Sequence, residues 1–183
     1  MTRRYFTVGH STRSVEELIS LLREAGADLV VDVRTVPRSH TNPQFNADSL
    51  PDRLAAASIG YRHLDQLGGL RHRRKDAGPS PNGFWENASF RNYADYALTA
   101  EFREGLAALS SLAERHTCAI MCAEAVWWRC HRRIIADYLI AAGEPVLHIL
   151  GPGHIEPATM TPAARRRPDG GLVYPPEVGG DSG

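Results

Sequence analysis

Five short apolar runs, set apart by segments with helical spacing, limit what this chain can fold into more than any other feature. They are Tyr5–Val8, Leu29–Val33, the weaker Ile59–His63, Cys118–Cys122 and Val146–Leu150. Each has the length of a strand, and the second, LVVDV, is rich in β-branched residues. Between the first two, Ser14 and Glu17 have the spacing of a capping box. Val15, Leu18, Leu21, Leu22 and Ala25 follow on one helical face, and Gly26 supplies a left-handed stop. A second helix is expected to begin near Asp48, with Leu50, Leu54 and Ala57 inward. Helical patterning returns from about Phe90 to Ala113 with a break near Thr99, and again from about Cys130 to Ala142, ahead of Gly143. Strands alternating with helices imply a mainly parallel sheet of about five strands with helices on both faces. The expectation is a single α/β domain, Rossmann-like or flavodoxin-like, over residues 1–155. A tail rich in proline, glycine and arginine, 156–183, is expected to be only partly ordered.

Composition removes several classes of function. Lysine and arginine number 21, as do aspartate and glutamate. The molecule therefore has no overall charge to draw it to nucleic acid or to an anionic membrane. No apolar run approaches the ~20 residues of a spanning helix, so no membrane role is expected. The opening MTRRYFTVGH enters a strand pattern at once, without the apolar region of a signal peptide. Three cysteines are too few, and odd in number, for a disulfide framework; a reducing compartment, the cytoplasm, is expected.

In a parallel sheet, ligands bind beyond the carboxyl ends of the strands. The residues just past each expected strand are His10 and Ser11, Asp32 and Arg34 with Ser39 beyond, His63, then Cys122 and Glu124, while His148 lies on the fifth. Histidines, carboxylates, arginines and a thiol thus gather at one edge. After a short loop come Cys130, His131 and Arg132, with Cys130 at the expected start of a helix. The positive end of a helix favours a thiolate, and the neighbouring basic side chains add to that. Cys122 or Cys130 is therefore a candidate nucleophile, with Glu124 and His131 as candidate proton-transfer groups. Arg34 and Arg132 are candidate grips for a small anion, with His10, Ser11, Asp32 and Ser39 lining the same crevice.

Plainer readings stand beside these. Cys118 fits an inert buried position, and Cys122 on a buried strand is open to the same reading. Asp32 and Arg34 also fit a buried ion pair, and His148 a hydrogen-bonded core histidine. Cys122, Cys130 and His131 offer donors for zinc or iron, yet the two cysteines are eight positions apart and no C-x-x-C pair occurs. A dithiol reading requires the two sulfurs to meet. Neither GxxxxGK[ST] nor GxGxxG is present.

The ordered set Gly9-His10-Ser11-Thr12, Asp32-Val33-Arg34 with Pro37 and Ser39, Leu67-Gly68-Gly69, Cys122-Ala123-Glu124, Cys130-His131-Arg132 and His148-Ile149 resembles the domain of unknown function 488 family. The resemblance runs from about Val8 to Ile155. It implies an α/β fold and an enzymatic activity tied to the cysteines, and it names no substrate.

Two functions follow as expectations. The first is an enzyme acting on a small anionic or nucleotide-like substrate through the Cys, His, Glu and Arg residues above. The second is a nucleic-acid-binding or repair-associated module. It would use the basic run Arg71–Lys75, Arg165–Arg167 and the aromatics Phe84, Trp85, Trp127 and Trp128.

Overall fold

A computed structural model describes residues 3–73, 75–76 and 78–177. Its centre is a six-stranded sheet of β1 (Tyr5–Gly9), β2 (Leu29–Asp32), β3 (Gly60–His63), β4 (Cys118–Cys122), β5 (Val146–Gly151) and β6 (His154–Pro157). The spatial order is β3-β2-β4-β1-β5-β6, with the first five strands parallel and β6 antiparallel to β5. Five helices connect the strands: α1 (Val15–Ala25), α2 (Leu50–Ala55), α3 (Ala88–Tyr96), α4 (Ala100–Ala113) and α5 (Arg132–Ala141). The molecule is thus an α/β protein with a mostly parallel sheet, as the alternation of periods predicts. Among the described residues, no helix is long and apolar enough to cross a membrane.

The burial of the strands explains how legible each is. β1, β2 and β4 are buried at every position, so they read as unbroken apolar runs. β3 is an edge strand with alternating exposure, which accounts for its weaker signal. The sixth strand carries only one strongly apolar residue, Ile155. It forms because Gly153, at φ 65°, turns the chain back and sets Ile155 opposite Ile149.

Side chains alternate strictly between two cores. Phe6, Val8, Val30, Ala119 and Met121 pack under α1 and α2. Tyr5, Leu29, Val31, Val33, Cys118, Ile120 and Cys122 pack under α3, α4 and α5. Because strand residues point to opposite faces in turn, Asp32 and Cys122 leave the sheet on opposite sides.

Helix boundaries follow their caps. Ser14 and Glu17 bond reciprocally at the start of α1, and Gly26, at φ 77°, ends it. The expected break near Thr99 is a new beginning, where the Thr99 hydroxyl caps α4. α5 begins at Arg132 and not at Cys130, because Trp127–Arg129 form a separate 3-10 turn ahead of it.

Beyond residue 155 the chain returns to the domain at Thr161 and at residues 171–174, which are buried or half-buried. Arg165–Arg166 (β7) pair with Leu172–Val173 (β8), and Leu172 and Tyr174 are buried. Tyr174 donates from its hydroxyl to Asp137 at 2.8 Å, and Thr161 N donates to the same carboxylate at 2.9 Å. The tail is thereby fastened to α5; its last six positions, 178–183, lie outside the described residues.

The parallel register sets the carboxyl ends of β1, β4 and β2 level, with Gly9 opposite Cys122 and Asp32 opposite Met121. Hydrogen bonding continues past the strands: His10 N donates to Cys122 O at 2.9 Å, and Ser11 N to Ala123 O at 3.0 Å. A side chain at Gly9 would overlap the Glu124 carbonyl. Gly9→Ala is therefore expected to destabilise the fold by about 1–3 kcal/mol through overpacking. A urea titration checks this: the midpoint should fall while its slope stays unchanged.

Candidate functional site

Cys122 ends β4 and Cys130 precedes α5, and the fold brings their sulfurs to 2.7 Å. Arg132, from the first turn of α5, lies across both. Its Nε donates to Cys122 Sγ at 3.0 Å, its backbone N–H points at Cys130 Sγ at 3.4 Å, and its Nη2 donates to Glu124 O at 2.8 Å. The remaining arm, Nη1, donates to Thr7 Oγ1 at 2.9 Å. Since a guanidinium only donates, Thr7 accepts from it and has its own hydrogen for His148 Nδ1, 2.6 Å away. His148 is held from its other side by Trp127, stacked with ring centres 4.6 Å apart.

Arg132 is 1% exposed, and among the described residues no carboxylate pairs with it. A buried cation without a counter-charge is costly, and the two sulfurs are the titratable groups beside it. Burial alone raises the Cys130 thiol, but the hydrogen bond from Cys122, the Arg132 charge and the Arg132 backbone N–H together bring it below its ordinary value. Burial, then the bond and charge of Cys130, push Cys122 well up. The pair thus loses its first proton from Cys130 and keeps the second on Cys122.

His131 completes this cluster. A carbonyl only accepts, so Nε2 carries the hydrogen that bonds Val33 O at 2.8 Å. Nδ1 then presents its lone pair 3.5 Å from Cys130 Sγ. The ring lies edge-on to Tyr93 and flat against Gly69, where an added Cβ would come 2.5 Å from Nδ1. The close approach of Gly69 gives the Leu67-Gly68-Gly69 sequence a role that its composition alone does not reveal.

A cavity of about 330 Å³ opens over the sulfurs, bounded by Gly69, Leu70, Phe90, Glu124, Arg129 and His131. The Glu124 carboxylate stands at this exposed mouth, while its backbone carbonyl is the atom bound to Arg132. Arg129, which sequence reasoning passed over, lies at the mouth as well; its place in the seven-residue loop between the two cysteines was the available signal.

The other expected residues form a second cluster on the opposite face of the sheet. Arg34 grips Asp32 with two parallel bonds, Nε to Oδ1 at 2.9 Å and Nη2 to Oδ2 at 2.6 Å, and Tyr61 donates to Oδ2 at 2.5 Å. Arg34 also donates to Phe45 O at 2.7 Å and meets His10 Nε2 at 3.3 Å, with His10 stacked on Phe45. This is a closed ion pair, the plainer of the two readings, and its guanidinium faces protein groups and not the cavity. Ser11 turns the chain at φ 49°, and the Ser39 hydroxyl accepts from Thr41 N and Asn42 N within its own loop. His10, Ser11, Asp32, Arg34 and Ser39 therefore shape the edge of the sheet and do not line the cavity over the sulfurs.

Two residues of the basic run and several of the aromatics make internal contacts. Arg71 donates to Asp65 O and Gly68 O and lies over the Tyr96 ring, and Arg73 donates to Gly78 O. Arg74 lies outside the described residues. Arg165 and Arg166 are exposed on β7. Trp85 is buried against Phe90, and Trp127 is half-buried and stacked on His148; Trp128 is the exposed member of the set.

Among the described residues, no group of three or more His, Cys, Asp or Glu side chains is arranged to hold a metal ion. At Cys122, Cys130 and His131 a metal cation would face the fixed charge of Arg132, whose guanidinium is already bonded to Cys122 and whose backbone N–H points at Cys130. The donor set does not suit zinc or iron.

Burial holds His10 and His131 below the ordinary histidine value, and burial followed by the Arg132 charge pushes His148 down to about 3. Below pH ~6.5 the unfolded chain binds protons that these folded rings refuse, so stability falls as pH falls. A histidine still neutral at pH 5 contributes about 2 kcal/mol of that loss. Urea midpoints measured from pH 7 to pH 4 should decline, and His148→Asn should decline less steeply than the parent.

Residues 14–139 match the model of a family described as Domain of unknown function DUF488. No curated protein and no solved structure matches the chain. The matched span holds Cys122, Cys130, His131 and Arg132, with the Asp32–Arg34 pair, and leaves His10 and His148 outside it. It covers more than half of the sequence: the chain belongs to the DUF488 family.

Proposed function

We propose that this protein is an enzyme in which the Cys130 thiolate attacks a small anionic substrate held in the cavity above it. The observation that carries the reading is the buried residue Arg132, whose guanidinium bonds Cys122 Sγ, whose backbone N–H points at Cys130 Sγ, and which has no carboxylate partner among the described residues. A side chain that keeps a thiolate charged in a water-poor setting activates a nucleophile. His131 Nδ1 is placed to take the Cys130 proton, and the Cys122 thiol to hold the resulting anion by a hydrogen bond. At the mouth, Arg129 gives an anion its attraction and Glu124 gives selectivity against a second negative group. Thr7, His148 and Trp127 fix Arg132, and the Asp32–Arg34 pair supports the strand end on which His131 rests.

Iodoacetate, a small anionic alkylating reagent, tests this with Cys118 as an internal reference. Cys130 should be the first thiol modified, with a pH midpoint below the ordinary ~8.5. Arg129→Ala should slow iodoacetate several-fold and leave the neutral iodoacetamide nearly unchanged. Cys130→Ser should remove the fast phase and, by taking away the anion beside the buried Arg132, lower the urea midpoint. Equal rates at Cys118 and Cys130 would remove the nucleophile from the reading.

A further inference from the structure

A nucleophilic thiolate needs a cation and a proton acceptor; it does not need a second thiol in contact with it. Here Cys122 Sγ stands 2.7 Å from Cys130 Sγ, so a disulfide bond of ~2.05 Å closes with less than an ångström of movement. Cys118, four residues earlier on the same face of β4, is buried and has no sulfur beside it. The paired arrangement is thus particular to the cavity floor.

The second thiol also narrows the chemistry. Cys122 can reach only the Cys130 sulfur, and attack there is productive where the group on Cys130 leaves as water, an alcohol or a thiol. Exposures of 3% and 5% for the two cysteines exclude a protein disulfide as the partner in that first step, and the 330 Å³ cavity admits a small molecule. Resting on the thiolate reading above and adding a substrate class to it, we propose that Cys122 and Cys130 form a two-electron dithiol couple that reduces a small molecule with a cleavable O–O or S–S bond.

The atoms balance as follows. The Cys130 thiolate, its proton already released to solvent by way of His131, attacks one atom of the O–O or S–S bond. A sulfur–oxygen or sulfur–sulfur bond forms, the substrate bond breaks, and the departing atom takes a proton back from solvent. Cys122 then attacks Cys130 Sγ, forming the Cys122–Cys130 disulfide. The transferred group leaves with the Cys122 proton. Two thiol hydrogens and two electrons pass to the substrate, giving an alcohol and water from a hydroperoxide, or two thiols from a disulfide. An external dithiol returns the enzyme to its starting state.

The full chain, reduced and freed of reductant under argon, is treated with equimolar hydrogen peroxide in one arm and equimolar hydroxyethyl disulfide in the other. It is then alkylated and mapped by mass spectrometry. Two of the three thiols should disappear in at least one arm, with Cys122 linked to Cys130 and Cys118 still alkylated. Dithiothreitol should restore all three, and the faster arm assigns the bond class. Cys122→Ser should stop at an adduct on Cys130, a sulfenic acid trapped by dimedone or a mixed disulfide. Three thiols retained in both arms, or oxidation at Cys118 or between chains, overturns the couple without requiring any variant to fold. If Cys130 still reacts fast with iodoacetate in that case, only the redox couple falls; if it does not, the thiolate reading falls with it.

Discussion

A guanidinium with no carboxylate to neutralise it, sealed beneath the sheet edge, governs the arrangement around it. Arg132 is drawn into the interior by α5, whose inward residues Ile134, Ile135 and Leu139 leave it no route to water. Once there, its guanidinium demands acceptors, and the molecule supplies them from β1 and the exit of β4: Thr7, Cys122 and the Glu124 carbonyl, while its backbone N–H points at Cys130. A charge buried this way is costly unless an anion joins it. The groups nearest to it are sulfurs, and so the need to keep Arg132 satisfied and the pairing of the two cysteines are one constraint.

The two faces of the sheet divide the labour. On the α5 side lie the sulfurs, His131 and the cavity; on the α1 and α2 side lies a fully paired network of Asp32, Arg34, Tyr61 and His10. Both reach the same edge because β4 is threaded between β1 and β2, bringing three carboxyl ends together. The network away from the cavity holds the exit of β2 in place, and that exit carries the carbonyl to which His131 is fastened.

Much of this was legible in the sequence, for physical reasons that differ by residue. The buried central strands announce themselves because both faces are covered, and α1 because its capping box and terminal glycine are local signals. The gathering of Cys122, Cys130, His131 and Arg132 followed from the rule that places function past parallel strands. What remained hidden was the side of the sheet on which each residue emerges. His10, Asp32 and Arg34 share the edge with the cysteines, but a period of two sends Asp32 away from them, and only the register shows how the edge divides. The contact of two sulfurs eight positions apart depends on how the Trp127–Arg129 turn folds the loop back, which no local pattern encodes. The tail likewise looked polar until Tyr174 and Leu172 found Asp137 and Tyr138 on α5.

Where β2 ends, two consecutive carbonyls hold different rings: Val33 O receives the His131 ring from one side of the sheet, and Arg34 O receives His63 Nε2 at 2.7 Å from the end of β3. That pair of atoms is a fulcrum. Because facing alternates with every residue, inserting or deleting a single position in this strand would exchange the two carbonyls and unseat both imidazoles at once. Length at the end of β2 is therefore as tightly fixed as any side chain in the cavity, although neither Val33 nor Arg34 borders it.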